Sequence, residues 1–155
     1  MRKSMFLLVI VFAGVLLVAG CQSDPVAESP GEVAGENSYA DGTYRGSFSD
    51  RGYIQVNIQF TLEDNVVTDI GFRHLEHGGI DYRQEEEDTS IIGIREQHEQ
   101  LIDYLVGEDV RDSLNDLYEP GDIVDDVDIF TGATVRASKV ISAIRDALNR
   151  GVYRY

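Results

Sequence analysis

Ile54, Val56, Ile58, Phe60 and Leu62 alternate with Gln55, Asn57, Gln59 and Thr61, a two-residue period that predicts a half-buried antiparallel strand. Glu63-Asp64-Asn65 follows as a tight turn, Asp and Asn being residues that tolerate positive φ, and Val66 to Phe72 returns as the next strand. Upstream, Tyr44 to Ser49 reads as a short strand between the turn signals Asp41-Gly42 and Asp50-Arg51-Gly52. These strands form a meander with one apolar face that something must cover. From His74 to Ser90 the chain is polar and predicts a loop, its Gln84-Glu85-Glu86-Glu87-Asp88 run being a solvated surface. Ile94, Leu101, Ile102 and Leu105 then recur at helical spacing, predicting a helix from about Gly93 to Val106 that Gly107 stops, with His98 exposed on its polar side. Val110, Leu114 and Leu117 suggest a short helix up to Pro120. Ala137, Val140, Ile141, Ile144 and Leu148 stripe a last helix closed by Gly151. The expected fold class is α+β, an antiparallel β-meander packed against helices, in a domain over residues 41–155.

The N-terminus has a different pattern. Arg2 and Lys3 precede an apolar run from Met5 to Gly20, short of the ~20 residues of a comfortable membrane span but suited to a signal-peptide core. It ends in Leu17-Val18-Ala19-Gly20-Cys21, which resembles the bacterial lipoprotein signal, whose Cys becomes the lipidated first residue of the mature chain. The resemblance implies a signal peptide over residues 1–20 and lipidation at Cys21. It also implies a lipid anchor in the cell membrane with the domain facing the extracytoplasmic side. An uncleaved anchor helix is the alternative, and it too leaves the remainder at a membrane surface. Residues 21–40 carry Pro25, Pro30, Gly31 and Gly35 among Ser and Glu, with almost no large apolar residue, and read as a flexible acidic tether.

Composition narrows the chemistry. The 155 residues hold 13 Lys+Arg against 28 Asp+Glu, a net charge of -15, which argues against sequence-independent nucleic-acid binding. One Cys excludes a disulfide framework, a CxxCH haem site, an iron–sulfur cluster and a multi-thiolate zinc site. His74, Glu76, His77 and Asp81 lack a defined ligand spacing, and Asp122, Asp125, Asp126 and Asp128 lack the Gly and terminal Glu of an EF-hand loop, so no metal site is expected.

The segment Asp128-Ile129-Phe130-Thr131-Gly132-Ala133-Thr134 stands where the final helical stripe begins. An extended stretch, a Gly turn and a helix N-terminus expose unpaired N–H groups and a positive dipole end, a natural seat for phosphate. The same residues also read as an ordinary N-cap and turn, and local physics leaves both open.

That segment resembles the Asp-x-x-[Ser/Thr]-Gly-Ala-Thr motif of the FMN-binding domain family, found in the FMN subunits of the sodium-pumping NADH:quinone reductase and the related Rnf complex. Asp128, Thr131, Gly132, Ala133 and Thr134 match it position by position, and Asp41-Gly42-Thr43-Tyr44-Arg45-Gly46 resembles the domain's opening. The resemblance implies FMN covalently attached through its phosphate to Thr134 by a flavin transferase that uses FAD and Mg²⁺, with Asp128 helping to present Thr134. Family members often place Ser or Thr at the second and third positions after that Thr, where this chain has Arg136 and Ala137. Arg136 and Lys139 are candidate counter-charges for the phosphate. The eight Tyr, with Phe72 and Phe130, are core or surface anchors that could also stack on a flavin.

No general base, nucleophile or catalytic metal is required, because an isoalloxazine exchanges electrons by itself. The implied function is a membrane-anchored electron-transfer flavoprotein working with redox partner proteins, rather than a stand-alone enzyme. A non-redox lipoprotein that binds a ligand or protein, and a flavin-dependent reductase, are the alternatives.

Overall fold

A computed structural model of the protein describes residues 38–125 and 136–155, all within one compact unit of the chain, Ala34–Tyr155. The alternating segments form β1 (Gly42–Asp50), β2 (Tyr53–Glu63), β3 (Val66–His77) and β4 (Ile80–Asp81), joined antiparallel in the order β1-β2-β3-β4. The β2–β3 hairpin turns on Asp64 and Asn65, at φ 52° and 68°, the pair of positive values that fits the right-handed twist of the strands. Asn65 also accepts the Tyr39 N–H at 2.7 Å, and Asp41 accepts the Asp64 N–H at 2.8 Å, so the incoming chain is laced to this turn.

The sheet buries one face. Val56, Ile58, Phe60 and Leu62 have no exposed surface, and Tyr44 stacks on Phe60 with ring centroids 5.3 Å apart. Burial, with Asp41 and Tyr39 nearby, pushes the Tyr44 hydroxyl above the usual phenol range, and that hydroxyl donates to the Ala40 carbonyl at 2.6 Å. Helix α1 (Thr89–Asp103) packs on β3, α2 (Val110–Ser113) and two short 3₁₀ turns continue the layer, and α3 (Ala137–Arg150) lies on β1 and β2. Ala137, Val140, Ile141 and Ile144 are buried as their stripe predicts, and Leu148 is partly buried. The architecture is the expected α+β meander with helices over one face. Among the described residues no helix is long and apolar enough to cross a membrane.

Several expectations need correction. Ile54, expected on the apolar face of β2, is exposed while Gln55 is buried, and the helix expected up to Pro120 stops at Ser113, ahead of the two 3₁₀ turns. The segment expected to be a loop from His74 instead continues β3 to His77, turns at Gly78 and Gly79, and pairs as β4 through Glu76↔Asp81 and His77↔Ile80. Its polar residues hid it: one face of the sheet is open to solvent, so His74 and Glu76 sit there at no cost. Helix α1 starts four residues before Gly93 because Asp88, inside the acidic run, is its N-cap and accepts from the Ser90 and Ile91 N–H groups. Asp88→Ala is therefore expected to lower stability by about 1 kcal/mol, read by thermal unfolding. His98 is fully buried, not exposed. It stands four residues after Ile94 and three before Leu101, on the apolar stripe, and its Nδ1 donates to the Ile94 carbonyl at 2.7 Å, which satisfies the ring inside the core. Its ring meets Phe72 edge-on at 6.1 Å.

Candidate functional site

Helix α3 begins after Arg136, which takes the N-cap position in extended geometry (φ -106°, ψ 163°) and provides no side-chain cap hydrogen bond. Its first turn has no acidic residue and contains Lys139, with exposed Arg136 just before it. Cations at the positive end of a helix dipole are unfavourably placed unless an anion joins them, and among the described residues no side chain caps the N–H donors of this first turn. Lys139 reaches across to β2, where its Nζ donates to Gln55 Oε1 at 2.7 Å and lies 5.7 Å from the centre of the Phe48 ring. Gln55 is buried, and its Nε2 is 3.3 Å from His77 Nδ1 at the end of β3. A polar chain thus runs from the start of α3 through β2 to β3.

Beyond Gln55 and His77 opens a cleft of about 480 Å³, closed by the β1–β2 turn on one side and by Gly78 and Gly79 on the other. Its wall includes Tyr53 and Ile54, which are 74% and 47% exposed, an apolar rim on a strongly acidic protein. On the outer side of the same strand ends lies a hollow of about 490 Å³ between Tyr53, Asn57, Arg73 and His74. His74 there pairs with Glu76 at 3.3 Å and contacts the Ile54 carbonyl at 3.1 Å. Among the described residues no three His, Cys, Asp or Glu side chains gather closely enough to hold a metal ion.

Asp128, Thr131, Gly132, Ala133 and Thr134, the residues predicted to hold a cofactor, lie outside the described residues, as do Cys21, Phe130 and the segments read as signal peptide and most of the tether. Of the neighbours named from sequence, Arg136 and Lys139 flank the start of α3 and Ser138 is exposed on it. Asp122 and Asp125 are exposed, and Asp125 is hydrogen-bonded to Gln100 through both backbone and side chain. Gln55, His77 and Phe48 were not singled out for this place. Their convergence depends on tertiary pairing, and no local pattern announces it.

A family model described as the FMN-binding domain matches residues 51–149, from the β1–β2 turn to the last turn of α3. The chain belongs to the FMN-binding domain family. No curated protein and no solved structure matches it. The matched stretch contains the cleft, the Lys139–Gln55–His77 chain and the segment from Asp128 to Thr134, and the protein is an FMN-binding flavoprotein. The residues present fit that cofactor. The cation-bearing start of α3 suits a phosphate, and a cleft of about 480 Å³ with an apolar rim is in the size range of cofactor sites.

Proposed function

We propose that this FMN-binding protein is a membrane-anchored, extracytoplasmic electron carrier whose FMN is esterified through its phosphate to Thr134. The observation that carries this reading is the start of α3: Thr134 stands two residues before a helix N-terminus that has two cations and whose N-cap residue, Arg136, supplies no side-chain cap. Two peptide links allow a reach of about 7.6 Å, so a phosphate on Thr134 would be tethered beside that terminus. The helix dipole and Lys139 favour its negative charge, a stabilisation of about 0.3–1 kcal/mol for the dipole at a surface site. Among the described residues Gln55 takes one of the three donors of the Lys139 ammonium.

When bound, FMN supplies one- and two-electron transfer through its isoalloxazine ring. The chain supplies position. Gln55 and His77 present hydrogen-bonding groups at the cleft wall, and Tyr53 and Ile54 offer an apolar edge against which a planar ring or a redox partner would pack. Asp128, Thr131, Gly132 and Ala133 complete the segment that a flavin transferase would recognise. The lipoprotein-like sequence ending at Cys21 supports a lipid anchor, with residues 21–40 as tether. An anchor keeps a carrier near membrane partners, and a covalent cofactor cannot diffuse away outside the cytoplasm.

Production of the full chain with an active flavin transferase tests the linkage. Flavin fluorescence should remain on the protein band through a denaturing gel, whereas release of all flavin on denaturation would contradict covalent attachment. Labelled fatty acid supplied to the same cells should enter the protein, and an unlabelled band would contradict the anchor.

A further inference from the structure

One cavity on the open face of the sheet gathers charge of the opposite sign to the chain as a whole. Arg45, Arg73, Arg150 and Arg154 line this cavity of about 430 Å³, in a protein with 28 acidic residues against 13 basic ones. Among the described residues only Arg150 of these four has a carboxylate within ion-pair distance, Asp146 at 2.9 Å. Arg45 and Arg73 instead share a neutral acceptor, with Arg45 Nε 2.7 Å and Arg73 Nη1 3.3 Å from the same Gln59 oxygen. Two guanidinium groups converging on one amide repel each other, and an anion between them would relieve that repulsion.

The fold builds this arrangement. Arg73 is the extra residue of a bulge between the pairs Asn57↔His74 and Ile58↔Phe72, and bulges re-aim side chains. After Gly151 ends α3, the Tyr153 N–H donates to the Thr43 carbonyl at 2.7 Å, so the C-terminal tail runs along the edge of β1. It brings Tyr153 against Arg45, with the guanidinium carbon 4.0 Å from the ring centre. Asn57 lines the same cavity, and its side-chain oxygen is buried without a hydrogen-bond partner among the described residues. Its amide can offer either end to a ligand, since the oxygen and nitrogen ends exchange by a flip.

We infer that this cavity is a second site, distinct from the flavin attachment site, that binds a small ligand carrying a phosphate or pyrophosphate group. Arg45, Arg73 and Arg154 provide planar donor forks that match phosphate oxygens two at a time. The site lies at the far end of α3 from Arg136, and 14 helical residues span about 20 Å. It shares no lining residue with the cleft at Gln55 and His77, although it borders the outer hollow at Asn57 and Arg73. A small ligand suits it better than an anionic bilayer. A charge of -15 repels a charged surface as a whole, whereas a small anion inside the cavity feels chiefly the charges within a Debye length of about 8–10 Å.

Calorimetric titration of the purified full chain with pyrophosphate at low ionic strength tests this, with flavin content measured on the same sample. Binding at one ligand per chain is expected, weakened about tenfold or more in the Arg73→Gln/Arg154→Gln double variant. Both side chains are exposed, so the variant should keep the wild-type melting temperature. Arg145→Gln, on the side of α3 that meets Tyr118, should bind as wild type. No binding, or equal binding by the double variant, would overturn the inference. So would stronger sedimentation with phosphatidylglycerol than with phosphatidylcholine vesicles, lost in the double variant, in the absence of pyrophosphate binding; the neutral vesicles account for the N-terminal anchor, and that result would assign the arginines to a lipid headgroup.

Discussion

Replacing Gly46 by alanine is expected to cost about 3 kcal/mol or more and to lower the melting temperature by about 10 °C or more. A Cβ at this position would lie 2.1 Å from the Ala143 carbonyl oxygen, 2.4 Å from the Ala147 amide nitrogen and 2.8 Å from the Ala147 Cβ. Two of the three obstacles are backbone of α3, so no rotamer change relieves the clash. The sheet and helix would have to move apart, opening the layer that buries Tyr44, Phe60, Val140 and Ile144. The small residues are matched across the interface, Gly46 on β1 against Ala143 and Ala147 on α3. The same contact fixes the start of α3, because Asp146 on this helix accepts the Ser47 N–H at 2.8 Å and Lys139 bonds to Gln55. Gly71→Ala is the control: nothing lies within 4 Å of its added carbon, and a change within about 0.5 kcal/mol is expected. Equal melting of the two variants would mean that β1 and α3 do not approach as closely as described.

Replacement of Thr134 by alanine is expected to take covalent flavin from one per chain to none, because the substitution removes the only atom proposed to carry the phosphate. In the proposed exchange, the Thr134 oxygen would bond to the FMN-side phosphorus of FAD as the bond to the AMP moiety breaks, with AMP leaving and the hydroxyl proton passing to solvent or the transferase. Thr134→Ser keeps the oxygen and should retain measurable attachment, which separates loss of the nucleophile from loss of the surrounding shape. In-gel fluorescence reads both. Full labelling of Thr134→Ala would move the attachment elsewhere.

The sequence makes the sheet and its main cover legible wherever one face is greasy and the other wet. From Val56 to Leu62 every second residue of β2 is buried, and in α3 the apolar stripe has a single sharp orientation, so both elements lie where their periods place them; the alternation breaks only at the start of β2, where Ile54 is exposed and Gln55 buried. The pattern fails where the open face of the sheet removes the contrast, as at His74 and Glu76, and where a polar ring is satisfied inside the core, as at His98. The N-cap of α1 is concealed for another reason: Asp88 ends a run of acids that is indistinguishable in sequence from a solvated loop. The site divides in the same way. Asp128 to Thr134 is a contiguous segment that can be read directly, whereas the contact from Lys139 to Gln55 spans 84 residues and exists only after α3 docks on β2. Arg45, Arg73 and Arg154 are likewise scattered in sequence, and it is the bulge at Arg73 and the returning tail that put them in one cavity.

The central claim is that FMN is held by a phosphoester to Thr134, and mass spectrometry of one peptide tests it most directly. Trypsin cleavage after Arg111 and Arg136 releases a peptide, Asp112 to Arg136, that contains both Thr131 and Thr134. From the full chain produced with an active flavin transferase, this peptide should gain the mass of one FMN less one water, with fragmentation placing the gain on Thr134. An unmodified peptide, from cells whose transferase labels another substrate, would contradict the account and leave a protein that binds FMN without a covalent bond.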